Sequence, residues 1–406
     1  MKKLFSTLLI LTATTLAAQD TLSILSYNVL NYPVSNPTKA DTLVPIIKLL
    51  QPDIFMITEL TSSSGATTIL NTALNINGIT FYQKATYFDG PDTDNMLFYN
   101  SDKLVLKSQF QIATTLRDIS EYVLYYKDPN IAMVTDTIFL YCYMAHLKAS
   151  TGAANEQQRN QEAVVFKNYL DSKSAILENV FFGGDFNLYT SSEPAHNTIL
   201  NGGNVPLFDP ISSPGNWSSN SSFASIHTQS TRSNSLPDGG AFGGMDDRFD
   251  FIFTSGDVLN GSKGISYINN TYKALGNDGN HFNKSINATP TNTAVPANVA
   301  DALYTISDHL PVFMKVAVDL TVGINEQTNI INWKGYVAQK QFYFTSNQVE
   351  NKVNVLVYNV LGELVVAKNF NHQNSFQLNL NTYNNGLYVV KVIGENQQKS
   401  FKVFKK

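Results

Sequence analysis

The 406-residue chain has one cysteine, two tryptophans and only 15 % charged residues. A single cysteine excludes an internal disulfide, so the fold must rest on its core rather than on covalent staples. A chain of this length buries enough apolar surface for that. Cys142, within "FLYCYMAHL", reads as a small buried apolar residue. Long hydrophobic runs are also missing. Beyond the first nineteen residues no stretch is apolar enough to span a bilayer. Nor is there a basic excess in the body of the chain. Two lysines lie in the leader, and residues 322–406 hold nine lysines against four acids. The formal net charge of −4 therefore leaves −11 on residues 20–321. That excludes the electrostatic footprint of tight, non-specific nucleic-acid binding, unless a divalent cation offsets part of it.

What is present begins with a leader. Lys2 and Lys3 precede the apolar run "LFSTLLILTATTLA" and small residues, the pattern of an export signal over 1–19 with cleavage near Ala18 or Gln19. Residues 20–320 then alternate strand-like apolar runs with helical periodicity, which implies an α/β domain of layered sheet and helix. "TLSILSYNVLN" is a strand ending near Asn28. In "LVPIIKLL", Leu43, Ile46, Ile47 and Leu50 share one helical face, and Pro45 fits if the helix begins near Asp41. "PDIFMITEL" and "TIFLYCYMAHL" are buried strands delivering Glu59 and His146. Arg159, Ala163, Phe166 and Leu170 stripe a helix over 156–171. "NVFFGGDFN", "RFDFIFTS" and "VFMKVAV" are further strands. The stretches 202–246 and 273–300, rich in Gly, Ser, Asn and Pro, read as long surface loops around the mouth of a site.

Polar groups that a core would not select stand where these strands exit: Asn28, Glu59, His146, Asp185 with Asn187, and Asp308 with His309, with Asp250 on a sixth strand. Each has an ordinary explanation alone, as a turn cap, a solvent-facing acid or a satisfied core histidine. Together they mark a site, because ligand sites in layered α/β folds gather at strand ends.

The pieces "SYNVLN", "PDIFMITEL", "MAHLK", "GGDFN", "DRFDFIFTS" and "SDHLPV", in that order, resemble the endonuclease/exonuclease/phosphatase superfamily typified by deoxyribonuclease I. The resemblance implies a four-layer α/β sandwich, with two packed mixed β-sheets flanked by helices. It also implies a phosphodiesterase or phosphatase centre using Mg2+, with Mn2+ or Ca2+ as substitutes. By position, Glu59 is the main metal ligand, with Asn28 and Asp308 in or near its shell. Asp185 orients or deprotonates the attacking water, and Asn187 donates to a phosphoryl oxygen. His309, backed by Asp250, takes the acid–base or phosphate-stabilising part, and His146 bonds the phosphate opposite. Hard oxygen donors of this kind suit Mg2+. Lys148 and Arg248 flank the motifs as phosphate contacts or as surface charges. His196, His227, His281 and His372 fit no motif and are expected at the surface.

The substrate is less constrained. Phe182 before "GGDFN" and "MDDRFDFIF" depart from the inositol-phosphatase pattern, and an intracellular repair role conflicts with a leader. An extracellular nuclease acting on nucleic acid is the first expectation. A sphingomyelinase-like enzyme acting on a lipid phosphodiester is the second, with "YYKDP" at 125–129 as its candidate membrane contact. A catalytically inactive binding protein on the same fold is the third, disfavoured because every central acid and histidine is present. A monomer is expected.

After "VGINEQ" the chain over 321–406 holds only strand-like runs at about ten-residue spacing, a small all-β sandwich. "VNVLVYNVLGELVVAKNF", "NGLYVVKV" and the basic end resemble the C-terminal sorting domain of type IX secretion cargo, although the usual "PNP" is missing. The alternative is a carbohydrate-binding or spacer domain. The sorting resemblance implies recognition by the type IX machinery, and a protein that is extracellular or on the outer cell surface.

Overall fold

The computed structural model describes residues 20–128, 137–173, 177–319, 333–338, 340–394 and 398–405. The leader and "VGINEQ" lie outside these residues. The chain forms two compact units, Met1–Val322 and Gly323–Lys406.

The first unit opens with β1 (Asp20–Tyr32), α1 (Lys39–Leu50), β2 (Ile54–Leu60), α2 (Ser63–Ile69), β3 (Tyr82–Lys84) and β4 (Asp94–Asn100). The hairpin pair β5 (Leu104–Ile112) and β6 (Ile119–Tyr126) follows, then β7 (Phe139–His146), α3 (Ala153–Ser172), β8 (Val180–Asp185) and α4 (Pro194–Asn201). It closes with β9 (Leu207–Phe208), β10 (Asp250–Ser255), α5 (Gly256–Asn260), β11 (Ile265–Tyr267), β12 (Lys273–Ala274), α6 (Ala297–Ile306) and β13 (Val312–Val318). One sheet runs β11-β13-β1-β2-β4-β3, with β12 also on β13; the other runs β5-β6-β7-β8-β10-β9. Both are mixed, with β1–β2 and β7–β8 the parallel pairs.

Period-two alternation decides the layering. Along β7, Cys142 and Met144 enter the core shared with Ile24, Met56 and Phe98 of the other sheet. Tyr143 and Ala145 point the opposite way, onto Phe166 and Ala163 of α3. β8 divides likewise, with Phe181 inward and Phe182 outward under Phe166. The α1 residues Leu43, Ile46 and Ile47 and the α6 residues Leu303 and Ile306 cover the outer face of the first sheet. The order is therefore helix, sheet, sheet, helix, the expected four layers.

Three details differ from the sequence reading. Helix α1 starts at Lys39, so Pro45 sits inside it, beyond the first turn. The segments 202–246 and 273–300 are more than surface loops: they bury Trp217, His227, Arg232, Met245 and His281. Tyr126 of "YYKDP" is buried and donates its hydroxyl hydrogen to Asp20 at 2.5 Å, which leaves it unavailable as a membrane contact. Pro129 lies outside the described residues.

The second unit comprises β14 (Lys334–Ala338), β15 (Gln341–Asn359), β16 (Leu364–Asn379), β17 (Gly386–Ile393) and β18 (Gln398–Lys405). β16 pairs with one edge of β15; β14 and β17 share its other edge, on opposite sides of a register shift between Thr345 and Glu350. Phe342, Phe344 and Phe376 from one half and Val355, Val390 and Val403 from the other meet in a single core. This is the small all-β sandwich, made by one sheet folding across its own long strands.

Candidate active site

Strand direction gathers the site at one edge. β1 and β2 are parallel, as are β7 and β8, so Asn28, Glu59, His146 and Asp185 all arrive at carboxyl ends; His146 and Asp185 are register partners. β10 runs antiparallel to β8, so its first residue, Asp250, pairs with Asp185. β13 runs antiparallel to β1, which brings the preceding Asp308 and His309 to the same edge. Gly184 permits the approach. Its φ is +142°, and a Cβ there would lie 1.9 Å from the Ala145 carbonyl oxygen. Every one of the eight residues expected in the site is present at this edge.

His309 is fixed from one side by Asp250, whose Oδ2 lies 2.7 Å from Nδ1. Its Nε2 lies 3.5 Å from Asp185 Oδ2 and 2.6 Å from Gln229 Nε2. Burial alone would lower the basicity of this imidazole, yet the Asp250, Asp185 and Asp308 carboxylates raise it well above the ordinary histidine value. The other histidine behaves oppositely. His146 is lowered well below that value by burial and by the positive charges of Arg117, His309 and Lys148. Its Nε2 stands 3.5 Å from Asp185 Oδ2, and its Nδ1 is buried without a hydrogen-bond partner. One edge thus holds a histidine of raised basicity and one of lowered basicity on either side of Asp185.

Asp185 itself is pushed up to about 7, first by burial and then by Asp250 and Glu59, against the opposing pull of His309. Asn187 Nδ2 donates to the Leu147 carbonyl at 3.3 Å, and its backbone N–H donates to Asp185 Oδ1 at 3.1 Å. Across the site, Asn28 Nδ2 donates to Glu59 Oε1 at 2.8 Å and to Asp185 Oδ2 at 3.1 Å. The Asn31 backbone N–H donates to Glu59 Oε2 at 3.0 Å. Burial, then the nearby Asp308 charge, raises Glu59.

The donor set suits a hard divalent cation. Glu59, His146 and Asp185 bring ligand atoms within 4.8 Å of one another, as do Asp185, Asp250 and His309. Buried carboxyls raised by one another's charge are the electrostatic deficit that such an ion relieves. Of the expected metal residues, Asn28 and Asp308 stand near Glu59 with their polar atoms engaged by neighbours. Asn28 turns its amide nitrogen to Glu59 while its oxygen accepts from the Leu30 N–H. Asp308 Oδ2 accepts from Gln229 and from the Ala241 N–H, at 3.0 and 2.7 Å.

Gln229 is the neighbour that sequence reading missed. It sits in a segment without periodicity, and only the bridge it makes to Asp308 and His309 identifies it. Arg117, also unforeseen, is held by Asp92 at 2.6 Å and has two further guanidinium nitrogens buried without partners. Arg248 is not a surface or phosphate-facing charge: it is buried on Asp209, with Nη1 and Nη2 at 2.8 and 3.0 Å, over the Phe251 ring. Lys148 is half-buried, its ammonium on the Ala149 carbonyl. Three of the four histidines expected at the surface are buried instead. His196 packs on Trp217, His227 lies 2.9 Å from the Trp217 carbonyl, and His281 lies 2.8 Å from Asp278. His372 is exposed.

No curated protein matches the chain. Among solved structures, D. rerio TDP2 complexed with single strand DNA product is 15 % identical with a TM-score of 0.47, covering 73 % of this chain and 99 % of that one. ANGEL2, a 2',3'-cyclic phosphatase, is 13 % identical with a TM-score of 0.43, covering 74 % and 96 %. AP endonuclease LMAP from Leishmania major is 12 % identical with a TM-score of 0.40, covering 73 % and 88 %. Residues 316–406 match the Secretion system C-terminal sorting domain, so the protein is secreted or carried on the outer cell surface by the type IX route. Residues 25–309 match the Endonuclease/Exonuclease/phosphatase family model, and the chain belongs to that family.

Proposed function

We propose that the protein is a secreted, Mg2+-dependent phosphodiesterase whose substrate is extracellular nucleic acid. The observation that carries the reading is Asp185, raised to about 7, standing between the Asp250-backed His309 and the Asn28-held Glu59. A carboxyl poised near neutrality accepts a proton from an attacking water efficiently. His309, whose basicity its neighbouring carboxylates raise, carries a proton to a phosphoryl or leaving oxygen while Asp250 fixes its ring. Asn187 and neutral His146 supply hydrogen bonds at the remaining oxygens. Glu59, oriented by Asn28 and the Asn31 N–H, is the carboxylate that would hold the cation, with Asp308 positioning Gln229 and the loop beside it. When bound, the cation supplies neutralisation of phosphoryl charge.

The test is hydrolysis by the mature protein of plasmid DNA, RNA, sphingomyelin vesicles and bis-p-nitrophenyl phosphate, with Mg2+ and with chelator. Cleavage of DNA or RNA that stops on chelation is expected. Hydrolysis of sphingomyelin alone, or full activity in chelator, overturns the proposal.

A further inference from the structure

One exposed aromatic is held where folding has no use for it. Phe242 is 62 % exposed and lies between two diglycines, in "GGAFGG" at 239–244. The backbone on both sides is pinned. The Ala241 N–H donates to Asp308 Oδ2 at 2.7 Å, and the Ala241 carbonyl accepts from Ser230 Oγ at 2.8 Å. The N–H groups of Gly243 and Gly244 both donate to the Arg232 carbonyl, at 3.0 and 2.9 Å. Gly240, at φ +85°, sits so close to Asp308 and Leu30 that a Cβ would fall 2.9 Å from the Asp308 carboxyl carbon. Beneath the loop, fully buried Arg232 grips Asp238 with two bonds of 3.0 Å, and Lys39 adds a third cation contact at 3.0 Å.

We infer that Phe242 is a stacking platform for a nucleobase next to the scissile phosphodiester. The inference rests on the proposed nuclease reading and specifies how that site would recognise its substrate. Phe242 follows directly on Ala241, whose amide holds Asp308, itself next to His309 in the chain, so its backbone lies beside the reacting edge. A loop already pinned at its backbone loses little conformational freedom on binding. Stacking is indifferent to base identity and needs no positive charge. It therefore gives residues 20–321 an affinity source that their −11 charge denies them electrostatically. A lipid surface is the less suited partner, since Phe242 is a single exposed aromatic in this loop and Asp246 and Asp247 follow it within five residues.

The test compares full-length wild type, Phe242→Ala and Phe242→Trp on a short single-stranded oligonucleotide and on the same oligomer carrying base-free tetrahydrofuran residues around the cleaved bond. Expected is a wild-type preference for the ordinary oligomer in kcat/KM, reduced roughly 5- to 150-fold in Phe242→Ala and kept in Phe242→Trp. Binding of phosphatidylcholine–sphingomyelin vesicles is measured alongside. If wild type cleaves the oligomer and Phe242→Ala retains the whole preference, stacking is refuted while the nuclease reading stands. If wild type cleaves neither oligomer, nor plasmid DNA or RNA, the nuclease reading itself fails; if it cleaves plasmid DNA or RNA but neither oligomer, stacking on a single strand is refuted while the nuclease reading stands. Loss of vesicle binding in Phe242→Ala with unchanged oligonucleotide preference assigns the ring to a membrane instead.

Discussion

The two units bury very different things. The first encloses Lys39, Arg159, Lys167, Arg232 and Arg248 together with the site carboxylates and histidines. Among the described residues of the second, only Ser346, Glu350 and Lys405 are buried polar groups, under a small core of Phe and Val. Buried charge is costly even when paired, and hydrophobic replacements often stabilise as well or better. Its concentration in one unit shows where geometry matters more than stability. Arg159 ties Glu193 to the loop after β7, and Arg248 ties Asp209 beneath β10, so both brace segments that surround the reacting edge. The sorting unit presents strands and needs no such bracing.

The largest expected effect separates the units by charge removal. Glu59→Gln keeps shape and hydrogen bonding to Asn28 but removes the charge proposed to hold the cation. Activity should fall about 10³-fold or more, while thermal melting stays unchanged or rises. Full turnover in this variant would refute the site. His309→Ala should cost roughly 10²- to 10⁴-fold in kcat, whereas His372→Ala, in the second unit, should cost nothing. Similar losses for both, measured side by side, would erase the contrast.

Gly184→Ala tests packing rather than chemistry. Its Cβ would collide with the β7 backbone, so the first unit should lose about 3 kcal/mol or more in denaturant melts, with the second unit's transition unmoved.

Next in size is a pH effect. Asp185 is raised from 3.8 to about 7, so the folded state binds its proton more tightly than the unfolded chain does. Stability from this group is present below pH 3.8 and is lost as pH climbs toward 7. His309, raised above 6.5, likewise loses its contribution as pH rises through its own higher value. Chelated protein should therefore melt lower at pH 8 than at pH 5, and Asp185→Asn should flatten the slope. An unchanged slope would contradict the charge crowding described here.

The smallest effect is an expected zero. We propose residues 20–320 as an independent catalytic domain and 321–406 as a separable export domain. The truncation to 20–320 should melt cooperatively and keep full specific activity. A soluble but inactive truncation would make the tail part of the enzyme. A passenger fused between the leader and 321–406 should be recovered outside a host with type IX machinery.

Much of this was legible in the residues because strand ends leave a local signature: an apolar run followed by one polar group. Asn28, Glu59, His146 and Asp185 were found that way. Gln229, Arg232 and His281 were not, because they lie in stretches without periodicity where partners come from 50 or more residues away, or from loops read as surface. The strands of the second unit misled in the other direction. The strand-like runs on either side of 346–350 join into the single β15, and those on either side of 371–374 into the single β16, because polar residues are tolerated inside exposed strands as a register shift rather than a turn; β14, over "KGYVA", was not read at all.

Cys142 has a consequence outside catalysis. It is fully buried beside Phe181 in the inter-sheet core, and burial pushes its thiol up, away from the reactive thiolate. An exported hydrolase built this way is blind to redox poise. It requires no oxidase to mature, offers no disulfide for secreted thiols to reduce, and shields its one sulfhydryl from peroxide. Swings between anoxic and aerated surroundings therefore leave the covalent framework of this fold as it is.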